Sequence, residues 1–216
     1  MSEIVIVDYG MGNLGSVANA LRHIGVEAEI SADPRRVESA TGVIVPGVGA
    51  FGDCMTRLRG QGLAAPIRRA IDSDRPVLGI CLGLQVLFDG SDESPDVSGL
   101  GVFSGRVVGF PPLDRGGPRK VPHMGWNAIE ELAPHPLLAG VDEGSYVYFV
   151  HSYFVRPNEA IAAATTTYGP RFVSAVARGN LFACQFHPEK SQSVGLRMLR
   201  NFVDLVRRNA AVEVAR

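Results

Sequence analysis

At 216 residues the chain is long enough for one α/β domain with a full core, and 46% hydrophobic with 20% charged residues is the composition of a folded protein, not a disordered one. With 21 Lys and Arg against 22 Asp and Glu the net charge is −1, which gives a general nucleic-acid binder or a membrane-surface protein no electrostatic basis. No apolar run reaches transmembrane length, three widely spaced cysteines make no disulfide framework, and five scattered histidines without a Cys-x-x-Cys pair give no reason to expect a metal or other cofactor.

Met1-Ser2-Glu3 leads directly into Ile4-Val5-Ile6-Val7, a wholly apolar run that reads as a buried strand, so no signal peptide is expected and a reduced cytoplasm is the default setting. A Gly-rich loop follows, then helical spacing over Leu14 to Ile24, carried by Val17, Leu21 and Ile24. Glu27 to Ile30 predicts a second short strand. Gly42-Val43-Ile44-Val45 predicts a third, running into Pro46-Gly47-Val48-Gly49. Leu58 to Ile71 contains a helical stretch, Val77 to Ile80 is a fourth strand, and Leu82 to Phe88 reads as the start of a helix. Continuous apolar strands alternating with helices predict a mainly parallel sheet covered on both faces.

Asp89 to Ser98 reads as a polar loop, and Pro111 to Pro122 as a longer one. From Gly99 to Arg178 short strands alternate with Gly and Pro clusters: Arg106 to Val108, Tyr146 to Phe149, Ile161 to Thr167 and Val173 to Ala177. Gly179-Asn180 between Val173–Ala177 and Leu181–Cys184 predicts a hairpin. This half is expected to add antiparallel strands to one side of the sheet. Val194 to Arg208 is amphipathic, with Met198, Leu199, Phe202, Leu205 and Val206 on its apolar face. Without a linker or an internal repeat, residues 1–216 read as a single domain.

Gly79-Ile80-Cys81-Leu82-Gly83 sets a thiol at the apex of a strand–turn–helix. Small residues two positions either side are what a nucleophile elbow needs, because the backbone there is crowded. Helix amides facing the sulfur favour the thiolate. The plain alternative is a buried core cysteine; Cys54 and Cys184 are read that way. Gln185-Phe186-His187-Pro188-Glu189-Lys190 follows an apolar strand. In extended geometry His187 and Glu189 face one cavity, a base with its orienting carboxylate, against the alternative of a surface histidine at a turn. Pro46-Gly47-Val48-Gly49 follows a strand parallel to the one that feeds Cys81. It can supply a backbone N–H from Val48 or Gly49 to join that of Leu82 as an oxyanion donor, unless it is an ordinary turn. Gly10-Met11-Gly12-Asn13-Leu14-Gly15 fits the dinucleotide-binding pattern, with Glu29 near the end of the next strand. An oxidoreductase is therefore a distant alternative, one that leaves Cys81, His187 and Glu189 unexplained.

Together, the Pro-Gly-x-Gly loop, the Gly-x-Cys-x-Gly elbow and the late His-Pro-Glu resemble a class I glutamine amidotransferase. Four more segments narrow the resemblance to the glutaminase subunits of imidazole glycerol phosphate synthase: Asp8-Tyr9-Gly10-Met11-Gly12-Asn13-Leu14, Pro46 to Gly52, Pro122-His123-Met124-Gly125-Trp126-Asn127, and His151-Ser152-Tyr153. The resemblance implies a three-layer, flavodoxin-like α/β fold and a Cys81–His187–Glu189 triad that hydrolyses glutamine to glutamate and ammonia. It implies that Gly49, Gln85, Ser152 and Tyr153 hold glutamine. It further implies a heterodimer with a (β/α)₈ cyclase subunit, HisF, which receives the ammonia through a channel and makes imidazole glycerol phosphate and an aminoimidazole carboxamide ribonucleotide in histidine biosynthesis. Asn13, Trp126, Tyr148 and Lys190 match positions facing that partner or the channel; Trp126 and Tyr148 read equally as core residues and Lys190 as a surface lysine. Another amidotransferase's glutaminase subunit, or a different Cys-His amide hydrolase such as a peptidase, is the nearer alternative.

Overall fold

The computed structural model describes residues 3–111 and 120–214. The first half follows the alternation read from the sequence: β1 (Ile4–Val7), α1 (Leu14–His23), β2 (Glu29–Ser31), α2 (Pro34–Ser39), β3 (Gly42–Gly47), α3 (Phe51–Gly60), α4 (Ala64–Asp72) and β4 (Val77–Cys81). Two features depart from it. Helix α2 was not anticipated; it is only six residues long, started by Asp33, whose carboxylate accepts from the Arg35 N–H at 2.9 Å, with Pro34 at its first position. The helical stretch expected within Leu58 to Ile71 is two helices, and the first begins at Phe51. It buries Phe51, Cys54, Met55 and Leu58, an i, i+3, i+4, i+7 stripe that glycines at positions 52 and 60 disguise as loop. Gly62 at φ +70° separates α3 from α4.

The second half comprises α5 (Leu82–Gln85), β5 (Phe88–Ser91), β6 (Ser94–Ser98), β7 (Phe103–Gly109), β8 (His123–Ala128), β9 (Tyr146–His151), β10 (Tyr153–Pro157), β11 (Ala162–Thr167), β12 (Arg171–Arg178), β13 (Leu181–Cys184) and α6 (Gln192–Val214). The helix expected over Leu82 to Phe88 is one turn, because the chain re-enters the sheet at Phe88. The polar loop expected at Asp89 to Ser98 is a β5–β6 hairpin. Its Asp, Gly and Ser residues have low strand propensity, and pairing of β5 with β7 supplies what propensity does not. The loop expected over 111–122 lies mostly outside the described residues.

Among the described residues one large sheet runs β2-β1-β3-β4-β13-β12-β10-β7-β5-β6, with β11 added on β12. It is parallel from β2 to β13 and antiparallel from β13 through β7. Alternation within β1 divides the core: Ile4 and Ile6 face α1 and α6, while Val5 and Val7 face α2, α3 and α4. These are the three layers. One pairing matters most for function. Strand β13 lies parallel beside β4, with Cys184 opposite Ile80, while Gly47 on the other side lies opposite Cys81. Three strand ends distant in sequence therefore share one edge. Strands β8 and β9 form a separate antiparallel ribbon at that edge.

Candidate active site

Cys81 ends β4 at φ +55° and ψ −107°, a conformation that costs a non-glycine residue about 1–3 kcal/mol. The surrounding backbone enforces it. A Cβ on Gly83 would run into the Val45 carbonyl oxygen; one on Gly79 would lie 2.8 Å from both the Ala183 Cβ and the Gly83 oxygen. The glycines flanking the elbow are thus required by close approach of three strand ends. Cys81 retains 7% exposure and lines a cavity of about 300 Å³, as do Val48, Gly49, Leu82, Gln85, Ser152, Tyr153 and His187. Gly49 sits at φ +95°, again a position suited to glycine.

The His187 ring is held in a buried setting: Nδ1 donates to Glu189 Oε1 at 2.7 Å, with the two side chains 2% and 1% exposed. The sequence predicts extended chain at these residues. Instead Pro188–Lys190 is a 3-10 turn, and the turn swings the carboxylate back beneath the ring. Ser191 Oγ donates to the His187 carbonyl at 2.7 Å, and the His187 N–H donates to the Tyr148 carbonyl at 2.9 Å, fixing the ring's base. Burial alone would lower the His187 pKa. Hydrogen bonding and charge from Cys81 and Glu189 outweigh burial and push it up to about 10. His187 is therefore an imidazolium at neutral pH, its Nδ1 held by Glu189. Because its folded pKa lies above the unfolded value of about 6.5, the stability it contributes is fully present below that value and lost as pH rises toward the folded one. Between about pH 7 and 10 the melting temperature of the wild type should therefore fall more than that of His187→Asn, as read by circular dichroism; parallel curves would refute a raised pKa.

Gln85 does not present its amide N–H groups to the cavity. Its Nε2 donates to the Tyr153 carbonyl at 3.1 Å and to Gln185 Oε1 at 3.0 Å. Its oxygen remains for a ligand. Trp126 and Tyr148 pair across the ribbon with ring centroids 6.0 Å apart, and Lys190 Nζ lies 5.8 Å above the Tyr148 ring, so three of the four expected partner-facing residues form one cluster. Asn13 occupies the N-cap position of α1, without a capping side-chain bond. The outer face of the ribbon exposes Met124, Trp126 and Tyr146, so Trp126 is a surface residue and not core.

Several cavity residues escaped the sequence reading: Glu93, Pro122, Val150 and His151 line it, and Gln185 reaches Cys81 from behind. Glu93 lies in the stretch whose polar composition predicts a loop; its Oε2 accepts the Phe51 N–H at 2.8 Å. A polar residue in the apolar run 181–186 was the available signal for Gln185. His123 and His151 form a buried pair, Nδ1 to Nε2 at 2.9 Å, with burial lowering their pKa values to about 4 and about 3. Both are neutral at pH 7, which suits residues that do not titrate in a reaction. Two glycines of the 10–15 segment have structural work: Asp8 Oδ1 accepts the Gly10 N–H at 2.9 Å, and a Cβ on Gly12 would meet Leu14 and Pro46, whereas Gly15 lies in α1 with nothing within 4 Å. Glu29, which the oxidoreductase alternative needs free, is held by Arg36 at 2.6 Å.

The family model described as glutamine amidotransferase class-I matches residues 5–206. The chain belongs to the class-I glutamine amidotransferases. Within that family it is 52% identical over 205 residues to the imidazole glycerol phosphate synthase subunit HisH of Syntrophotalea carbinolica, covering 94% of this chain and 100% of that protein. It is 50% identical over 204 residues to the subunit HisH of Geobacillus kaustophilus, covering 94% and 96%. A solved glutaminase domain of Trypanosoma brucei CTPS with bound acivicin superposes with a TM-score of 0.66 at 18% identity, covering 94% of each chain, a likeness of fold alone. In this class-I amidotransferase the antiparallel β12, β10 and β7 extend the parallel sheet, and the cavity lies at the ends of β3, β4 and β13.

Proposed function

We propose that this amidotransferase is the glutaminase subunit of an imidazole glycerol phosphate synthase, with Cys81 as nucleophile, His187 as acid and base, and Glu189 as the group that orients and charges His187. The observation that carries the triad is the 2.7 Å contact of His187 with Glu189 in a cavity also lined by Cys81. The Cys81 sulfur attacks the side-chain amide carbon of glutamine, forming a C–S bond as the carbonyl electrons move to oxygen. Leu82 N–H, with an N–H of Val48 or Gly49, receives the oxyanion. His187 Nε2 gives its proton to the amide nitrogen, the C–N bond breaks with its electron pair on nitrogen, and ammonia leaves a γ-glutamyl thioester. Neutral His187 then takes a proton from water as the oxygen attacks the thioester carbon. The C–S bond breaks with its pair on sulfur, and glutamate is released. Ser152, Tyr153, Gly49 and the Gln85 oxygen fit the substrate's polar groups, and Glu93, a carboxylate on the cavity wall, suits its α-ammonium.

The ammonia is proposed to pass to a HisF cyclase docked on the β8–β9 ribbon, where Trp126, Tyr148 and Lys190 cluster and Met124 is exposed. Asn13 belongs to the same proposal, as does a cytoplasmic setting. Among the described residues no helix is long and apolar enough to cross a membrane. The test is co-purification with a (β/α)₈ cyclase and a glutaminase assay with and without it and its nucleotide ligand. The expected outcome is slow turnover alone and faster turnover in the complex, with Trp126→Ala weakening association by about tenfold or more, as loss of an aromatic anchor does. Equal turnover alone and in the complex would remove the partner from the proposal; peptide cleavage without a partner would favour the hydrolase alternative.

A further inference from the structure

We infer that Gln185 is a further catalytic residue: its side-chain N–H is the neutral donor that holds the Cys81 thiolate, and Gln85 fixes that amide in the donating orientation. The inference rests on the reading of Cys81 as nucleophile. Gln185 is fully buried immediately after β13, with Nε2 3.5 Å from Cys81 Sγ and Oε1 accepting from Gln85 Nε2 at 3.0 Å. An amide oxygen and nitrogen are nearly the same size, so which end faces the sulfur must be deduced from the partners.

The Tyr153 carbonyl can only accept a hydrogen bond. It faces Gln85 at 3.1 Å, so that end of Gln85 is the NH₂. The second hydrogen of the same nitrogen points at Gln185, whose facing atom must then be the oxygen. The remaining end of Gln185, the NH₂, lies against sulfur. Turning Gln185 alone sets two donors against each other. Turning both sets the Gln85 oxygen against the Tyr153 oxygen and the Gln185 oxygen against the thiolate. The carbonyl at the origin is itself pinned, because His151 Nδ1 donates to it at 2.8 Å. His151 Nε2 then accepts from His123 Nδ1, and His123 Nε2 accepts from Asn127 Nδ2 at 3.2 Å. A chain of neutral groups thus runs in one direction from the β8–β9 ribbon to Tyr153, and a second runs from Tyr153 through Gln85 and Gln185 to the nucleophile.

An N–H donor at sulfur stabilises the anion more than the thiol, and it does so without a second positive charge to compete with His187. The same bond serves the second half of the reaction. When the C–S bond breaks, its electron pair returns to sulfur, and the Gln185 N–H is in place to receive that charge. Other ionisable groups near the sulfur do not duplicate this role: burial holds Cys184 and Tyr9 neutral, and His187 with Glu189 already serves as the proton carrier.

Alkylation of the full-length chain by iodoacetamide tests the inference independently of glutamine turnover. Adducts are mapped by mass spectrometry and rates followed from about pH 6 to 9, with thermal melts as the folding control. In the wild type Cys81 should be modified before Cys54 and Cys184, which are fully buried, with burial pushing the Cys54 thiol up to about 12. Gln185→Met keeps the volume and removes the donor. It should slow Cys81 alkylation at neutral pH about tenfold and move the profile up by about one pH unit, the size expected of one hydrogen bond to a charged group. Gln85→Met, which leaves Gln185 present but unoriented, should shift the profile in the same direction by less. A purely structural role would alter melting and leave the profile in place. Profiles of both variants that superimpose on the wild type would overturn the inference, and if Gln185→Met fails to fold, a superimposable Gln85→Met profile does so. If the shifts occur in a chain that releases no ammonia from glutamine, the donor stands and the glutaminase reading falls.

Discussion

Cys81→Ala is expected to release no glutamine-derived ammonia above background, a loss of at least about 10⁴-fold in kcat by analogy with other enzymes stripped of a triad nucleophile. The size of the effect follows from what remains. His187, Glu189 and the backbone donors persist, but without sulfur no thioester forms, and water must attack an amide directly. The substitution is also a clean one. Alanine keeps the Cβ, so it carries the same unfavourable φ of +55° as cysteine and meets the same neighbours. The fold should melt within a few degrees of the wild type. If the chain supplies ammonia to a cyclase, the mutant complex should still make product when ammonium salt replaces glutamine. Full glutaminase activity in Cys81→Ala would end the mechanism, and loss of both the glutamine and the ammonium reactions would indicate damage to the assembly and not to the thiol.

The parts of this site legible in the sequence are those written in local pattern. Fully apolar runs marked β1, β3 and β4, because a strand buried on both faces has no polar side to confuse it. The elbow was legible because its glycines flank Cys81 at fixed spacing. What was hidden depends on contacts distant in sequence. Nothing near Asp89 to Ser98 says that it pairs with β7, so Glu93 was read as loop. The role of Gln85 as a substrate ligand is implied by the resemblance alone, and the partners that consume its N–H groups, Tyr153 and Gln185, come from β10 and the residue after β13. His187 and Glu189 were paired on an extended-chain argument, while the pairing is made by a 3-10 turn. There the residue types carried the information and the assumed backbone did not.

Gly83→Ala should be among the most damaging single-methyl changes in the molecule for function. The added carbon would lie within covalent-like approach of the Val45 carbonyl oxygen, and that oxygen belongs to β3, whose Val45 is paired with Gly79 of β4. A flexible side chain can rotate away from a new methyl group, but a carbonyl inside a parallel sheet cannot. The strain must be relieved by moving α5 away from β3, which shifts Leu82 N–H relative to Val48 and Gly49, the groups proposed to share the oxyanion. Overpacking of a tight core costs about 1–3 kcal/mol, and a backbone obstacle places this site at the upper end or beyond it. Misplacing an oxyanion donor costs about 10²–10³-fold in rate. The expected result is a melting temperature lower by roughly 5 °C or more together with at least about a hundredfold loss of glutaminase kcat. Gly60→Ala, in α3, provides the contrast, since a methyl group there meets nothing within 4 Å, and it should leave both quantities near wild type. A Gly83→Ala protein with unchanged melting and turnover would show that the three strand ends are not packed as tightly as their backbones imply, and the elbow would lose its physical basis.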